Sequence, residues 1–246
     1  VRQKLGQHFL RHAGYLARIA AAAAEFSPEA VIEIGAGTGT LTEHLLRRVP
    51  RVIAIELDSA LVELLRRRFA SESRLTVVHA DVLETDLAAW CPAVIAGNLP
   101  YYIASAVIEK VLRLRTAMRA AVFLVQKEVA ARLAAAPGSR DYGWLSVETQ
   151  LFASAEVLFS VPPGAFSPPP KVESAVVRLI PHERLLPDSD EFLAFARACF
   201  RHKRKTLRNN LLAIYGAAVE AVPEAARRAE QLSLDQLLSI YERLRR

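Results

Sequence analysis

Short apolar runs alternate with helix-period segments through the first half of the chain. Ala30–Ile34, Arg51–Glu56, Leu75–His79, Pro92–Ala96 and Ala120–Val125 are rich in Val, Ile and Ala. Such nearly unbroken apolar runs are expected of strands covered on both faces. Between and after them, Thr40–Arg48, Ser59–Phe69, Tyr102–Leu114 and Lys127–Ala135 read as helices. This alternation predicts an α/β fold built from βαβ units, with a parallel sheet, right-handed crossovers and a doubly wound, Rossmann-like arrangement.

The pattern changes after about residue 150. Ala155–Val161 and Val172–Ile180 read as two strands joined by the Pro-rich connection Pro162–Pro170, which predicts an antiparallel hairpin closing the sheet edge. Pro181–Asp188 reads as a polar linker, and the rest as purely helical. The expected organisation is therefore a catalytic domain over 1–181 and a small all-helical domain over 182–246.

Composition narrows the function classes. The chain has 246 residues, 52% hydrophobic and 24% charged, enough to bury a core and too apolar for a disordered chain. No apolar run approaches the roughly 18 residues of a membrane span, so no membrane partner is expected. Cys91 and Cys199 lie far apart and form no CxxC pair, and the histidines show no paired spacing. Neither a disulfide scaffold nor a metal site is expected, and a reducing, cytoplasmic setting is. The segment before Glu25 is basic and acid-free, a composition shared with transit peptides, but a motif described below accounts for it.

The net charge of +6 permits a polyanionic partner. Arg197, Arg201, Lys203, Arg204, Lys205 and Arg208 stand in twelve residues without an acid. Read as one helix, the segment puts Arg197, Arg201, Arg204 and Arg208 on one face, and Phe200, Leu207, Leu211 and Ile214 on another. A one-signed stripe beside a packed face suits phosphate contact, the alternative being a solvated face.

The chemistry-bearing motifs follow the strands. The first strand runs into Glu33-Ile-Gly35-Ala-Gly37-Thr-Gly39, where glycines permit a tight bend and close backbone approach to a ligand. Glu56 ends the next strand, 21 residues after Gly35, where an acid can hold both hydroxyls of a ribose. Asp81 follows the third strand and can accept from an adenine amine. Gly97-Asn-Leu-Pro-Tyr101 follows the fourth. In this last turn, the Asn98 side-chain oxygen and the Leu99 carbonyl can accept the two protons of an exocyclic amine. Pro100 fixes the turn, and Tyr101 can stack on the base. The glycine turn and Glu56 together favour an adenosine-containing cofactor, and Gly97–Tyr101 resembles the Asn/Asp-Pro-Pro-Tyr signature of enzymes that methylate exocyclic amines.

Lys4-Leu-Gly-Gln-His-Phe-Leu10, the glycine segment, Glu56, Asp81 and Asn98–Tyr101 together resemble the KsgA family of ribosomal RNA adenine dimethyltransferases. So do Arg140-Asp-Tyr-Gly143, Ala165-Phe-Ser-Pro-Pro-Pro-Lys171 and Arg204-Lys-Thr-Leu-Arg-Asn-Asn-Leu211. The resemblance runs in order from Lys4 to about Leu212. It implies the class I methyltransferase sheet with a final antiparallel strand, and S-adenosylmethionine held by His8, Leu10, Gly35, Gly37, Glu56, Asp81 and Asn98. It also implies dimethylation of two adjacent adenosines in small-subunit ribosomal RNA by a monomer, with Phe166 as a second wall of the base pocket. RNA contact would fall to Arg197, Arg201, Arg204, Lys205 and Arg208. The family often has Asn where His8 stands and Pro where Ala36 stands. Three rival readings are a macrolide-resistance methylase acting on large-subunit RNA, a non-catalytic nucleic-acid-binding factor and a nicotinamide dehydrogenase. The Pro-Pro-Pro-Lys171 and Arg204–Asn210 segments, the intact Asn98, Tyr101 and Glu56, and the Asn98–Tyr101 turn argue against them in that order.

Overall fold

A computed structural model describes residues 8–183 and 188–245. Lys4–Gln7 of the first motif and part of the expected linker lie outside the described residues. Packing divides the chain into two compact units, and the division is not the simple cut expected after residue 181. Residues 131–152 pack with the C-terminal helices, so the second unit is discontinuous in sequence. The physical reason is apolar: Ala135, Tyr142 and Val147 are buried in one cluster with Phe192, Leu207 and Ile240.

The first unit contains a seven-stranded sheet. Its strands are β2 (Val31–Ile34), β3 (Val52–Glu56), β4 (Leu75–His79), β5 (Ala93–Asn98), β6 (Met118–Gln126), β7 (Ala153–Val161) and β9 (Ser174–Pro181), in the order β4-β3-β2-β5-β6-β9-β7. The first five strands in that order run parallel, while β9 is antiparallel to both β6 and β7. The expected hairpin is present, with β9 against the parallel strands and β7 at the edge. A two-residue ladder pairs β1 (Phe9–Leu10) with β8 (Phe166–Ser167).

Helix α1 (Ala13–Ala24) precedes β2, the crossover helices are α2 (Thr40–Leu46), α3 (Ser59–Arg68) and α4 (Ala104–Leu112), and α5 (Lys127–Leu133) follows β6. Val31, Val94, Ala96, Val122 and Leu124 pack with Leu16, Ile19, Leu41 and Leu45 of α1 and α2. The alternate strand residues Ile32, Ile34, Ile53, Ile95 and Phe123 are equally buried, so both sheet faces are covered. Asp58 starts α3 by accepting from Ala60 N at 2.8 Å and Leu61 N at 3.4 Å.

Chain direction across the sheet reverses between β2 and β5. From β2 the chain winds outward through β3 and β4, then returns to start β5 on the other side. In open α/β sheets such a switch point opens a crevice at the carboxyl ends of the strands. Here the two strands approach closely: a Cβ placed on Gly97 would lie 2.4 Å from the Ile34 carbonyl oxygen.

The second unit carries α6 (Trp144–Phe152), α7 (Ser189–Cys199), α8 (Leu207–Tyr215) and α9 (Leu234–Leu244), with no strand among its described residues. Ser233 caps α9 reciprocally with Gln236, at 3.2 Å and 3.0 Å. The α6 helix was not marked by the hydrophobic pattern.

Gly97→Ala should destabilise the protein by about 1–3 kcal/mol, because the added methyl meets backbone and not a side chain that can turn away. Guanidinium unfolding would read this as a lower midpoint; an unchanged midpoint would mean that β2 and β5 separate readily.

Candidate active site

The switch-point crevice is a cleft within the first unit. It is lined by residues that follow β2 (Gly35, Gly37), end β3 (Glu56), follow β4 (Asp81) and leave β5 (Asn98–Ile103), with His8 and Phe9 alongside. Gly35 and Gly37 adopt φ of +70° and +58°, which only glycine takes without strain. A Cβ on Gly37 would also press on the Phe9 ring at 3.0 Å.

Glu56 is buried, with its carboxylate surrounded by amides. Its Oε2 accepts from Gly37 N at 2.8 Å, and its Oε1 from Leu57 N at 2.9 Å and Asp58 N at 3.0 Å. Asp81 uses Oδ1 to accept from Leu83 N at 2.8 Å, and its other oxygen has no partner among the described residues. Leu57 and Val82 give the same part of the cleft an apolar lining.

The turn after β5 is fixed from both sides. Leu99 N donates to the Leu124 carbonyl at 3.1 Å, and Ile103 N to the Pro100 carbonyl at 3.1 Å. The Asn98 Nδ2 donates to the His8 carbonyl at 2.9 Å. A carbonyl can only accept, so this bond sets the amide's orientation and leaves Oδ1 open as an acceptor. The Leu99 carbonyl likewise accepts from no described N–H. Tyr101 shares a 2.6 Å hydrogen bond with the Ser174 hydroxyl, its ring centroid lies 5.7 Å from that of His8, and burial raises its phenol above the ordinary value.

The N-terminal segment is held in place by the Pro-rich connection. His8 Nδ1 lies 2.8 Å from the Pro168 carbonyl, and Arg11 N donates to Ala165 at 2.9 Å. Of the cofactor residues expected from the sequence, His8, Gly35, Gly37, Glu56, Asp81 and Asn98 meet in the cleft. Leu10 does not line it: its side chain is in the core, and its carbonyl accepts from Thr40 Oγ1 at 3.4 Å. Phe166 was expected as a wall of the base pocket, but it is buried among Leu10, Leu16 and Val161 and lines no part of the cleft. Opposite Leu10 in the β1–β8 ladder, its side chain shares the Leu10 environment. Lys171 is exposed.

Glu33 lies in β2, just before the glycine turn. It is 1% exposed and accepts from Thr42 Oγ1 at 2.6 Å, joining β2 to α2 beneath the turn. Burial, reinforced by Glu56, pushes its carboxyl up to about 8. Glutamate beside a run of isoleucines was a sequence signal for this, because a buried acid needs a partner or a proton.

The basic segment is not one helix. The α7 helix ends at Cys199, a turn covers 200–206, and α8 begins at Leu207. Asn210 organises the turn, donating to the Cys199 carbonyl at 2.8 Å and accepting from His202 N at 3.2 Å. The expected packed face is broken too, since Ile214 is 57% exposed. Arg197 lies over Trp144 at 4.6 Å, Lys203 donates to the Arg140 carbonyl at 2.9 Å, and Arg208 pairs with Glu220 at 2.6 Å. Arg201, Arg204 and Lys205 are exposed, without an acidic partner among the described residues. Cys199 is buried and Cys91 partly so, and both are free thiols. No cluster of three metal-ligating side chains occurs among the described residues, and no described helix is long and apolar enough to cross a membrane.

Comparison with known proteins places this geometry in context. Residues 1–246 match the family described as ribosomal RNA adenine dimethylase. The ribosomal RNA small subunit methyltransferase A of Acidobacterium capsulatum is 46% identical over 255 residues, covering 98% of this chain and 90% of that protein. The protein of the same name from Xanthomonas axonopodis is 41% identical, covering 97% and 94%. Among solved structures, a dimethyladenosine transferase from Plasmodium falciparum superposes with a TM-score of 0.83 at 30% identity, covering 96% of this chain and 98% of that one. The 23S rRNA methyltransferase ErmE gives 0.75 at 29% identity, covering 97% and 100%.

Glu33 makes stability depend on pH. Its folded-state carboxyl binds a proton more tightly than the unfolded one, so its contribution is complete below about 4.5 and is lost as pH rises through about 8. Glu33→Gln should flatten that part of the profile. Unfolding midpoints at pH 5, 7 and 9 check this, and parallel profiles for the two proteins would contradict it.

Proposed function

Because the chain belongs to the ribosomal RNA adenine dimethylase family, a family of S-adenosylmethionine-dependent methyltransferases, we propose that the switch-point cleft dimethylates two adjacent adenosines of small-subunit ribosomal RNA during ribosome assembly in the cytoplasm. The observation that carries this reading is the turn Asn98–Tyr101, whose two open acceptors, Asn98 Oδ1 and the Leu99 carbonyl, stand in the same cleft as Glu56 and Asp81. The close agreement with small-subunit relatives favours that substrate over large-subunit RNA.

The cleft residues suit S-adenosylmethionine. Gly35 and Gly37 allow close backbone approach, Glu56 offers carboxylate lone pairs to ribose hydroxyls, and Asp81 keeps one oxygen open for the adenine amine. When bound, the cofactor supplies an electrophilic methyl on a sulfonium.

The chain's own residues prepare the nucleophile. An adenine amine is weakly nucleophilic because its lone pair is delocalised into the ring. Asn98 Oδ1 and the Leu99 carbonyl accept hydrogen bonds from its N–H groups, which favours a tetrahedral nitrogen with a localised lone pair, and the proton displaced when the nitrogen takes its new bond leaves to solvent. Because Asn98 and Leu99 are held by His8 and Leu124, these acceptors are in place before the base arrives. Tyr101, anchored through Ser174, gives the base a flat surface. The exposed Arg201, Arg204 and Lys205 contact RNA phosphate from the turn between α7 and α8.

Two variants separate binding from chemistry. Glu56→Ala should weaken cofactor binding roughly ten- to a hundred-fold, the equivalent of about 1.5–3 kcal/mol for a lost charged hydrogen bond. Asn98→Ala should lower kcat far more than it weakens cofactor or RNA binding, because its acceptor acts as the amine becomes tetrahedral. Wild-type turnover by Asn98→Ala would refute the role given to the turn.

Replacing Arg201, Arg204 and Lys205 by Gln should reduce the slope of log K against log salt for an RNA fragment by roughly 2–3, at about 0.7–0.9 per phosphate contact. Arg208→Gln should change it less, because Glu220 already pairs that charge. Filter binding at several salt concentrations reads both, and an unchanged slope for the triple variant would make the turn a solvated surface.

A further inference from the structure

Two consecutive tyrosines leave β5, and their surroundings differ. Tyr101 is half-buried and turns to Ser174 and the His8 ring. Tyr102 is 58% exposed yet lines the same cleft. A large aromatic side chain left open at the wall of a cleft is informative in a way that a scattered surface leucine is not. Its phenol is raised by partial burial and then by the charges of Asp81 and Glu56, the two acids on the nucleoside side of the cleft. Leu57, 49% exposed, follows Glu56 directly and lines the cleft as well. The turn therefore sends one ring towards the proposed amine-activating groups and leaves the next beside the acids proposed to hold the nucleoside.

Resting on the proposed methyltransferase reading, we infer that Tyr102 is a cofactor-binding residue whose ring, with Leu57, covers the adenosine end of the bound cofactor. The ring does the work and the hydroxyl does not, because no described group hydrogen-bonds it. Covering the nucleoside removes apolar surface from water on both partners, and base–aromatic contact tolerates small changes in ring chemistry.

Calorimetric titration with 5′-methylthioadenosine, which keeps the nucleoside end and lacks the amino acid, tests this directly. S-adenosylmethionine is titrated in parallel. Tyr102→Ala should weaken both ligands by the same factor, roughly ten-fold or more. Tyr102→Phe should stay within about two-fold of wild type on both, because the ring is retained. The melting temperature of the ligand-free protein should not move, since the side chain is largely exposed. Wild-type affinity of Tyr102→Ala for 5′-methylthioadenosine would overturn the inference. So would an effect confined to the KM for RNA, which would put the ring on the substrate side. A wild-type protein that bound neither ligand would refute the cofactor reading itself, and this inference with it.

Discussion

Glu56 is a buried carboxylate whose two oxygens gather backbone amides from two different turns, Gly37 after β2 and Leu57 and Asp58 after β3. Each of those amides would otherwise be an unpaired donor at a strand end, and the carboxylate would be an unpaired buried charge. Their mutual satisfaction holds the glycine turn against the end of β3 and defines one side of the cleft. It also explains Glu33. A second carboxyl buried close by cannot have the same supply of amides, so it takes a hydrogen bond from Thr42 and keeps its proton.

The other side of the cleft depends on a close approach of backbones. Gly97 lets β5 lie against the end of β2, and the chain then turns through Asn98–Tyr101 with the Leu99 amide bonded to β6 and the Pro100 carbonyl accepting from Ile103. This places rigid acceptors opposite the Glu56 side. Proximity and fixed dipoles are the resources available to a reaction that needs no covalent intermediate. His8, just before β1 and held by the Pro168 carbonyl of the Pro-rich connection, supplies the carbonyl that orients Asn98. A segment far away in sequence thus orients an acceptor of the cleft.

Much of this was legible in the sequence because it followed from local rules. Unbroken apolar runs such as Val52–Ile55 gave the parallel strands, and the glycines at 35 and 37 gave the turn, since glycine takes a positive φ without the strain a side chain brings. The candidate residues at strand ends that the structure brings into one cleft were legible because motif order and strand order agree. Tertiary packing was not readable in the same way. Nothing in the period of residues 131–152 says that Tyr142 and Val147 pack with α7 and α8. Phe166 resembled a pocket residue by its place in a motif, but a register with Leu10 puts its ring in the core. The basic segment had a helical charge pattern, yet Asn210 stabilises a turn within it by bonding the Cys199 carbonyl and His202. Side-chain capture of backbone groups competes with helix, and periodicity does not register it.

The cleft formed by Glu56, Asp81 and the Asn98–Tyr101 turn is the site we propose for methyl transfer to adenine amines of small-subunit ribosomal RNA. Incubating the protein with S-adenosylmethionine carrying a tritiated methyl and small ribosomal subunits that lack the modification, followed by mass mapping of the RNA, tests it most directly. The expected result is label on two adjacent adenosines, each carrying two methyl groups on its exocyclic amine. Label on large-subunit RNA alone, on a ring nitrogen or ribose oxygen, or on no RNA at all would contradict it.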